Sequence, residues 1–252
     1  MDRSDINRLA DIIKSSGNTV FFGGAGVSTE SNIPDFRSEK GLYAARKNYG
    51  ASPEELISHR CYETNPDLFF RYYKENLIHT DAKPNAAHAA LAKMEAAGLL
   101  SAVITQNIDG LHQAAGSINV MELHGANARQ YCAVCGKTYS LEYALSPENC
   151  HEAIPKCSAC GGTVRPDVVL YGETLDDNVV QAAVNAISLA DCLIIGGTSL
   201  IVYPAAGLIQ YFGGDSLVLI NKSATSYDGR ADLVINKSIG AVLSEVTRNL
   251  QI

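Results

Sequence analysis

Four cysteines in two closely spaced pairs are the residues whose types and spacing most clearly suggest chemistry. They form Cys132-x-x-Cys135 and Cys157-x-x-Cys160, and each pair is followed by glycine, which permits a tight turn. Two such pairs can supply four thiolates to one zinc ion. A four-thiolate zinc has no open coordination position, so the predicted metal is structural and other residues must carry the reaction. An iron–sulfur cluster or four unrelated core cysteines are the alternatives.

The composition limits the class of protein. The chain has 252 residues, 46% of them apolar, which fits one large domain or a domain with an insertion. Its net charge of −7 argues against a nucleic-acid-binding protein, because such proteins usually carry a basic surface. The odd total of seven cysteines suits a reducing compartment, and the N-terminal segment has no apolar signal-peptide core. We therefore expect a cytoplasmic protein.

One uncharged stretch, residues 192–214, is long enough to span a bilayer. Glycines and Pro204 interrupt it, so it predicts a buried strand, a loop and a helix and no membrane partner.

Short apolar runs alternate with helical patterns along much of the chain. The runs are largely apolar on both faces, as in strands buried within a parallel sheet, and they cover residues 19–22, 102–105, 120–123, 192–195, 217–220 and 233–235. The helical patterns cover residues 5–15, 85–97, 177–189 and 238–250. This alternation predicts an α/β fold with a doubly wound, Rossmann-like parallel sheet.

Two regions interrupt the alternation. Residues 37–84 are rich in aromatic residues and helix formers, and residues 128–165 contain the cysteine pairs. We expect these two insertions to form one smaller domain, a helical module plus a zinc ribbon. Residues 1–36, 85–127 and 166–252 then form the larger, Rossmann-like domain, and the two domains enclose a cleft at the carboxyl ends of the strands.

A glycine-rich loop, residues 23–29, follows the first predicted strand. Glycines at this position let backbone amides approach a pyrophosphate. The loop departs from the usual dinucleotide fingerprint, because Pro34 stops a long helix and no second strand with a ribose-binding acid follows. An ordinary nicotinamide dehydrogenase is therefore disfavoured, and a tight turn without a ligand remains an alternative.

Further short motifs follow in order along nearly the whole chain. They are Gly-Ala-Gly-Val-Ser at 24–28, Ile-Pro-Asp-Phe-Arg-Ser at 33–38, Lys-Pro-Asn at 83–85, Thr-Gln-Asn-Ile-Asp-Gly-Leu-His at 105–112, Glu-Leu-His-Gly at 122–125, Arg-Pro-Asp at 165–167, Gly-Glu at 172–173, Gly-Thr-Ser-Leu at 197–200 and Val-Tyr-Pro at 202–204. Together with the cysteine pairs, these motifs resemble the sirtuins, the NAD-dependent protein-lysine deacylases, as a bacterial-type single catalytic domain. The resemblance implies NAD as co-substrate, one structural zinc, and acylated proteins or peptides, above all acetyl-lysine ones, as substrates.

The resemblance also implies a mechanism. The acyl-lysine carbonyl oxygen attacks C1′ of the NAD ribose, nicotinamide leaves, and His124 as general base helps to deprotonate a ribose hydroxyl. The 2′-oxygen then attacks the resulting imidate, and hydrolysis by water gives free lysine and O-acyl-ADP-ribose. Asn107 is the second predicted catalytic residue. Without the resemblance, a lone histidine at a strand end and an Asn-Ile-Asp-Gly turn are both more often structural.

The remaining predicted site residues also follow from the resemblance. The cofactor-binding set is Gly24, Ala25, Gly26, Thr29, Asp35, Phe36, Arg37, Gln106, Asn107, Ile108, Asp109, Gly197, Thr198, Ser199, Asn221, Lys222 and Ile239. The substrate peptide is expected to add as a strand to a segment represented by Val169, Tyr171, Gly172 and Glu173. Taken one by one, these positions are ordinary turns, core residues or sheet edges.

Two departures from the family pattern bear on specificity. Gly23 stands where a threonine usually precedes the loop. The branch of the family that removes acidic acyl groups has a tyrosine and an arginine where Phe70 and Tyr73 align here, so we expect uncharged acyl groups as substrates. The alternatives to deacylation are an NAD-dependent protein ADP-ribosyltransferase and a non-catalytic NAD- or ADP-ribose-binding module.

Overall fold

The computed structural model describes residues 3–34 and 45–252. Its strands, in chain order, are β1 (Thr19–Gly23), β2 (Ala102–Thr105), β3 (Val120–Glu122), β4 (Gly125–Cys132), β5 (Thr138–Ser140), β6 (Cys150–His151), β7 (Ile154–Pro155), β8 (Val164–Val168), β9 (Cys192–Gly196), β10 (Ser216–Ile220) and β11 (Leu233–Ile235). Six of them form a parallel sheet in the order β11-β10-β9-β1-β2-β3. All six strands predicted from the apolar runs are confirmed to within one residue at each end.

The α-helices are α1 (Arg3–Ser15), α2 (Ala25–Ser28), α3 (Pro53–Leu56), α4 (His59–Thr64), α5 (Pro66–Asn76), α6 (Ala86–Ala96), α7 (Leu111–Ala114), α8 (Leu141–Leu145), α9 (Asp177–Ser188) and α10 (Ile239–Leu250). Residues 45–49 are also helical, and 3-10 turns occupy Thr29–Ser31, Pro147–Asn149, Ala205–Tyr211 and Asp228–Arg230. The four predicted long helices are confirmed as α1, α6, α9 and α10. Within residues 3–34 and 45–252, none of the helices has the length and apolarity that a membrane crossing requires.

Helices cover both faces of the parallel sheet, which explains why its strands are apolar throughout. Phe21 and Ile194 belong to a core shared with α1, α6 and α10. Phe22 and Ile195, the next residues along the same strands, belong to a second core with α9 and the 3-10 turn Ala205–Tyr211. Successive side chains of a strand point to opposite faces, so both faces must be apolar here. The doubly wound α/β prediction is confirmed.

The register of the sheet aligns the carboxyl ends of its strands. Gly23 pairs with Thr105 on one side and with Gly196 on the other. Beyond these, Thr105 pairs with Glu122, and Gly196 pairs with Ile220. The direction of strand order reverses between β1 and β9, which is the point where open α/β sheets bind their ligands. The segments after β1, β2, β3, β9 and β10 therefore meet at one edge.

Short capped helices occupy much of residues 53–76. The side chains of Ser52, Ser58 and Asn65 accept hydrogen bonds from first-turn amides of α3, α4 and α5. Phe69 and Phe70 of α5 pack edge to face, with ring centroids 5.1 Å apart, in a core that also contains Leu170. This core holds the helical region against the segment that follows β8.

The cysteine-bearing region is antiparallel. Strand β4 lies between β5 and β8, and β6 pairs with β7. At the start of β4, Gly125 has φ +75°, and a Cβ there would lie 2.0 Å from the carbonyl oxygen of Asp167, so only glycine fits. The predicted domain boundaries at 127/128 and 165/166 fall inside β4 and β8. The division into two domains stays a prediction.

Candidate active site

A cavity of about 590 Å³ lies at the carboxyl edge of the parallel sheet. Its volume and largely apolar wall are typical of sites for small molecules and cofactors. Fifteen predicted site residues lie on its wall, namely Ala25, Gly26, Gln106, Asn107, Ile108, Asp109, His124, Val169, Tyr171, Gly172, Glu173, Gly197, Thr198, Ser199 and Asn221. The fold thus brings five separate strand ends and the segment after β8 around one space.

Other predicted residues are placed differently. Gly24, Thr29, Lys222 and Ile239 are not among the wall residues in the described part of the chain. Ile239 is 3% exposed and packs in the sheet core, where a Cβ on Gly196 would lie 2.2 Å from its Cδ1. Its predicted role on the adenine side stays a prediction. Asp35, Phe36 and Arg37 lie outside the described residues.

The loop after β1 touches the loop after β9 backbone to backbone. The N–H of Gly26 donates to the carbonyl oxygen of Gly197 at 2.7 Å. A Cβ on Gly26 would lie 2.7 Å from that oxygen, and one on Gly24 would lie 2.9 Å from the Cβ of Thr198. Both glycines are therefore required for packing across the switch point. Because Gly26 also lies on the cavity wall, a packing role and a ligand role are compatible.

One buried hydroxyl organises the loop after β2. Ser28 Oγ donates to Asp109 Oδ2 at 2.6 Å and accepts from Asn107 Nδ2 at 2.9 Å. The Asn107 N–H donates to Thr105 Oγ1, and Asp109 Oδ1 accepts from the N–H of Leu111 at the start of α7. Both polar side chains are thus oriented by the fold itself. The sequence alone does not reveal this role of Ser28, although the residue belongs to the glycine-loop motif.

His124 lies between β3 and β4. Its Nδ1 is 2.9 Å from the carbonyl oxygen of Gln106. A carbonyl only accepts hydrogen bonds, so Nδ1 carries the hydrogen and Nε2 is the nitrogen that can take up a proton. The carbonyl oxygen of His124 in turn accepts from the N–H of Val169 at 3.0 Å. The histidine is therefore fixed between the loop after β2 and the segment after β8.

The segment after β8 is held in place by hydrogen bonds to other parts of the protein. The N–H of Tyr171 donates to the carbonyl oxygen of Ile57, and the carbonyl oxygen of Tyr171 accepts from the N–H of His59. The carboxylate of Glu173 receives two hydrogen bonds from Arg165. Although burial favours the neutral acid, these bonds hold the pKa of Glu173 at about 2. Glu173, predicted as a substrate residue, thus has a carboxylate engaged inside the protein.

Two buried histidines, one on α6 and one on α7, were not singled out from the sequence. His88 and His112 are 0% and 1% exposed, with ring centroids 4.7 Å apart. His88 Nδ1 accepts from the N–H of Asn85, and Asn85 Nδ2 donates to Val27 O and Ser31 Oγ. Burial lowers the pKa of His88 and lowers that of His112 to about 3. Both rings are therefore neutral at pH 7 and link α6, α7 and the loop after β1.

The four predicted zinc ligands come together. All four sulfur atoms lie within 4.8 Å of one another, with Cys132 to Cys160 at 3.5 Å and Cys135 to Cys157 at 3.6 Å. Tetrahedral zinc with Zn–S bonds of about 2.3 Å requires sulfurs about 3.8 Å apart. The sulfur of Cys132 accepts from the N–H of Val134 at 3.4 Å, as is usual for ligating thiolates. The donor set fits zinc, without showing the ion itself.

The acidities of these thiols also favour a cation. The Tyr139 hydroxyl lies 2.9 Å from the Cys157 sulfur and lowers the pKa of Cys157 to about 6. The Gly162 N–H favours the thiolate form of Cys160. The neighbouring Cys132 and Cys135 outweigh this effect and raise the pKa of Cys160 to about 12. Thiolates this close repel one another, and a divalent cation at their centre would offset that repulsion.

Comparison with known proteins gives the family. The Sir2 family model matches residues 24–204. The chain belongs to the Sir2 family. Relatives called NAD-dependent protein deacetylase in Clostridium acetobutylicum and Clostridium perfringens are each 60% identical to it, over 96% of this chain and over 97% and 98% of theirs.

Solved Sir2 structures share the fold over the same length. A Sir2 structure with a deacetylated p53 peptide and 3′-O-acetyl ADP ribose has a TM-score of 0.89 and 37% identity, covering 97% of this chain and 98% of that one. A Sir2 complex with p53 peptide and NAD⁺ has a TM-score of 0.87 and 36% identity, covering 98% of each chain. The Rossmann-like sheet and the inserted cysteine region are therefore arranged as in this family.

Proposed function

We propose that this Sir2-family chain is an NAD-dependent protein-lysine deacetylase. It transfers the acetyl group of an acetyl-lysine in a protein or peptide to ADP-ribose and releases nicotinamide. The observation that carries the proposal is the placement of His124. Its Nδ1 is bound to the Gln106 carbonyl, and it shares one cavity with Asn107 and Asp109. The names of the relatives and the peptides and nucleotides in the similar structures support the same activity.

NAD, when bound, supplies an electrophilic ribose carbon and a leaving nicotinamide. The attacking groups belong to the substrates, so the residues of the chain bind, orient and move protons. Asn107 and Asp109, fixed by Ser28, offer an amide and a carboxylate to the nicotinamide carboxamide and the ribose hydroxyls. Ile108 supplies an apolar wall beside them. Because Ser28 fixes these groups beforehand, little reorganisation is needed when the co-substrate binds.

Other strand ends suit the rest of the dinucleotide. The N-terminus of α2 and the loop after β9 offer small residues at the switch point, where phosphates bind in open α/β sheets. Thr198, Ser199 and Asn221 add hydroxyl and amide groups for the adenosine part. The assignments of Gly24, Thr29, Asp35, Phe36, Arg37, Lys222 and Ile239 are proposals from the resemblance in sequence alone.

His124 acts as the general base. Its Nδ1–H is held by the Gln106 carbonyl, which fixes the tautomer and leaves Nε2 as the proton-accepting nitrogen. The proton that Nε2 accepts comes from a ribose hydroxyl.

The cavity favours an uncharged acyl group. Among its described wall residues there is no lysine or arginine that could pair with an acidic acyl chain. Tyr73 lies on the wall, but its hydroxyl donates to Asn127 Oδ1 at 3.0 Å inside the protein. Acetyl and other neutral acyl groups are therefore proposed as substrates.

Cys132, Cys135, Cys157 and Cys160 would hold one structural zinc. The ion would fasten the β4–β8 region and take no part in the reaction, because all four coordination positions are filled by protein. We also propose a cytoplasmic location, which the seven free thiols support. Cell fractionation tests the location.

Mass spectrometry of the purified protein with an acetyl-lysine peptide, with and without NAD, tests the activity. Nicotinamide, O-acetyl-ADP-ribose and unmodified peptide should appear only with NAD. Nicotinamide without peptide deacetylation would instead indicate ADP-ribosyl transfer or NAD hydrolysis. Binding of NAD without any turnover across acyl peptides would indicate a non-catalytic binding module.

A further inference from the structure

His59 contacts the segment after β8 in two ways. Its N–H donates to the carbonyl oxygen of Tyr171 at 2.9 Å, and its ring Nδ1 lies 2.8 Å from Glu173 Oε1. Gly172 lies between these two contacts, and a Cβ there would be 3.9 Å from the Cβ of His59. His59 is 114 positions from Glu173, and no motif in the sequence assigns His59 a role.

Glu173 is the centre of the contacts that shape this segment. Arg165, 6% exposed, forms a two-bond ion pair with it at 2.7 and 3.0 Å, and also donates to the carbonyl oxygen of Val168 at 3.1 Å. Glu173 Oε2 accepts from the N–H of Leu170 at 2.9 Å. The backbone at 168 and 170 is thus fixed through the Glu173–Arg165 pair, and His59 is the further contact from the helical region.

The His59 ring lies between two carboxylates. Nδ1 faces Glu173, and Nε2 lies 3.2 Å from Glu63 Oε1, one turn further along α4. The other charged or titratable groups nearby are Arg165, which shares the Glu173 carboxylate, and the Tyr62 ring, whose centroid is 6.3 Å away. A neutral imidazole has one N–H, so it can donate to only one of the two carboxylates. Only the protonated ring satisfies both.

We propose that His59 is a positioning residue for the acyl-peptide substrate, and that its protonated ring holds α4 against the substrate-pairing segment so that peptide binds more tightly. The inference rests on the proposed function, since it names a residue that shapes the peptide side of the same site. His59 acts through Tyr171 and Glu173 and takes no part in the reaction. This positioning role does not depend on which protein is the substrate.

The direction of the pH effect follows from the contacts. The hydrogen bond to Glu173, helped by Glu63, raises the pKa of His59 above its usual value. A raised folded pKa means that the charged contact is fully formed below the usual histidine value of about 6.5, and that it is replaced by a weaker neutral contact as the pH rises through the higher folded pKa. The side chain is 42% exposed, so the effect is that of a partly exposed ion pair. We expect peptide KM to increase about two- to fivefold across this window.

The test is the pH dependence of peptide KM and kcat at saturating NAD, with an acetyl-lysine peptide that lacks His, Asp and Glu. The key variant is His59→Asn, whose amide can donate to Glu173 but cannot be charged. The matched control is His151→Asn, because His151 is an exposed histidine on β6. We expect a KM that rises with pH in the native protein and in the control. In His59→Asn, KM should stay at the high-pH value while kcat keeps its native profile.

Two outcomes would overturn the inference. One is a native-like rise of KM with pH in His59→Asn. The other is a fall in kcat that accompanies the rise in KM, which would indicate general damage to the fold. If neither the native protein nor the variants turn over the peptide, the proposed function itself fails. Anisotropy of a labelled acetyl-peptide with NAD then measures binding alone, and binding independent of the charge at position 59 would contradict the role of His59.

Discussion

Ser28 and Asp109, 81 positions apart, are joined by a 2.6 Å hydrogen bond in which the hydroxyl donates to the carboxylate. The hydroxyl oxygen of Ser28 also accepts a hydrogen bond from the side-chain amide of Asn107. One hydroxyl therefore fixes two groups proposed to contact the co-substrate. Ser28 is 1% exposed, and water cannot readily replace it. The loop after β1 therefore sets the geometry of the loop after β2.

Replacing Ser28 with alanine should lower kcat/KM for NAD by about 10- to 100-fold. The substitution leaves Asn107 Nδ2 and Asp109 Oδ2 without this partner, which costs about 1–3 kcal/mol in a buried network. Steady-state kinetics with varied NAD measure the loss. Ser15→Ala is the matched control, because that hydroxyl lies on the exposed end of α1. An unchanged kcat/KM in folded Ser28→Ala would contradict the proposed organisation.

His124→Ala should abolish deacetylation while NAD still binds. The imidazole is the proposed base, but the residues proposed to bind the dinucleotide lie on other segments. A loss of kcat of about 100-fold or more is expected from removing a general base. Calorimetry measures NAD affinity, and product formation is followed by mass spectrometry. Turnover equal to that of the native protein would remove His124 from the mechanism.

Purified protein should contain about one zinc per chain, measured by elemental mass spectrometry. Cys132→Ser should lose the metal, lower the melting temperature and reduce activity indirectly, because the proposed ion would hold β4, β8 and the cysteine turns together. Cys61→Ser should keep its zinc, because Cys61 lies in the helical-region core away from the cluster. Metal-free protein with native stability and activity would exclude a structural ion.

An acetyl-lysine peptide should be used at least about tenfold more efficiently than a succinyl-lysine peptide of the same sequence. Burying a carboxylate without a partner is costly, and the described cavity wall offers no lysine or arginine. The comparison of kcat/KM for the two peptides checks this. A butyryl-lysine peptide controls for acyl length, since it is about as long as succinyl but uncharged. Equal use of acetyl and succinyl peptides would show that a cation reaches the acyl group.

The sequence predicted the sheet because its strands follow local patterns, and it predicted fifteen residues of the cavity wall through the resemblance in sequence. Strands buried on two faces are apolar throughout, and the carboxyl ends of parallel strands necessarily meet at one edge. What it did not predict are contacts between distant positions. Ser28 with Asp109, and His59 with Glu173, depend on how segments pack, and no spacing in the chain encodes them. Ile239, at the start of α10, packs in the core of the sheet, and its predicted role on the adenine side stays a prediction.

The buried histidine pair should make the protein less stable in mild acid. The folded pKa of His112 is about 3, because burial opposes the charged ring, whereas the unfolded ring titrates near about 6.5. The unfolded state therefore takes up a proton first, and stability that is complete above pH 6.5 is lost as the pH falls below it. By pH 5.5, protonation of His112 in the unfolded state should lower the free energy of unfolding by about 1.4 kcal/mol. His88, whose pKa is also lowered, adds a contribution of the same sign. Denaturant unfolding at several pH values measures the slope.

The variant that tests this origin is His112→Phe, which keeps a ring beside His88 and Phe21 but cannot be protonated. Its unfolding free energy should fall less steeply between pH 7.5 and 5.5 than that of the native protein. His151→Phe, at an exposed position, should leave the slope unchanged. If His112→Phe keeps the full native slope, the acid sensitivity arises from other groups, and the pair links α6 and α7 through packing alone.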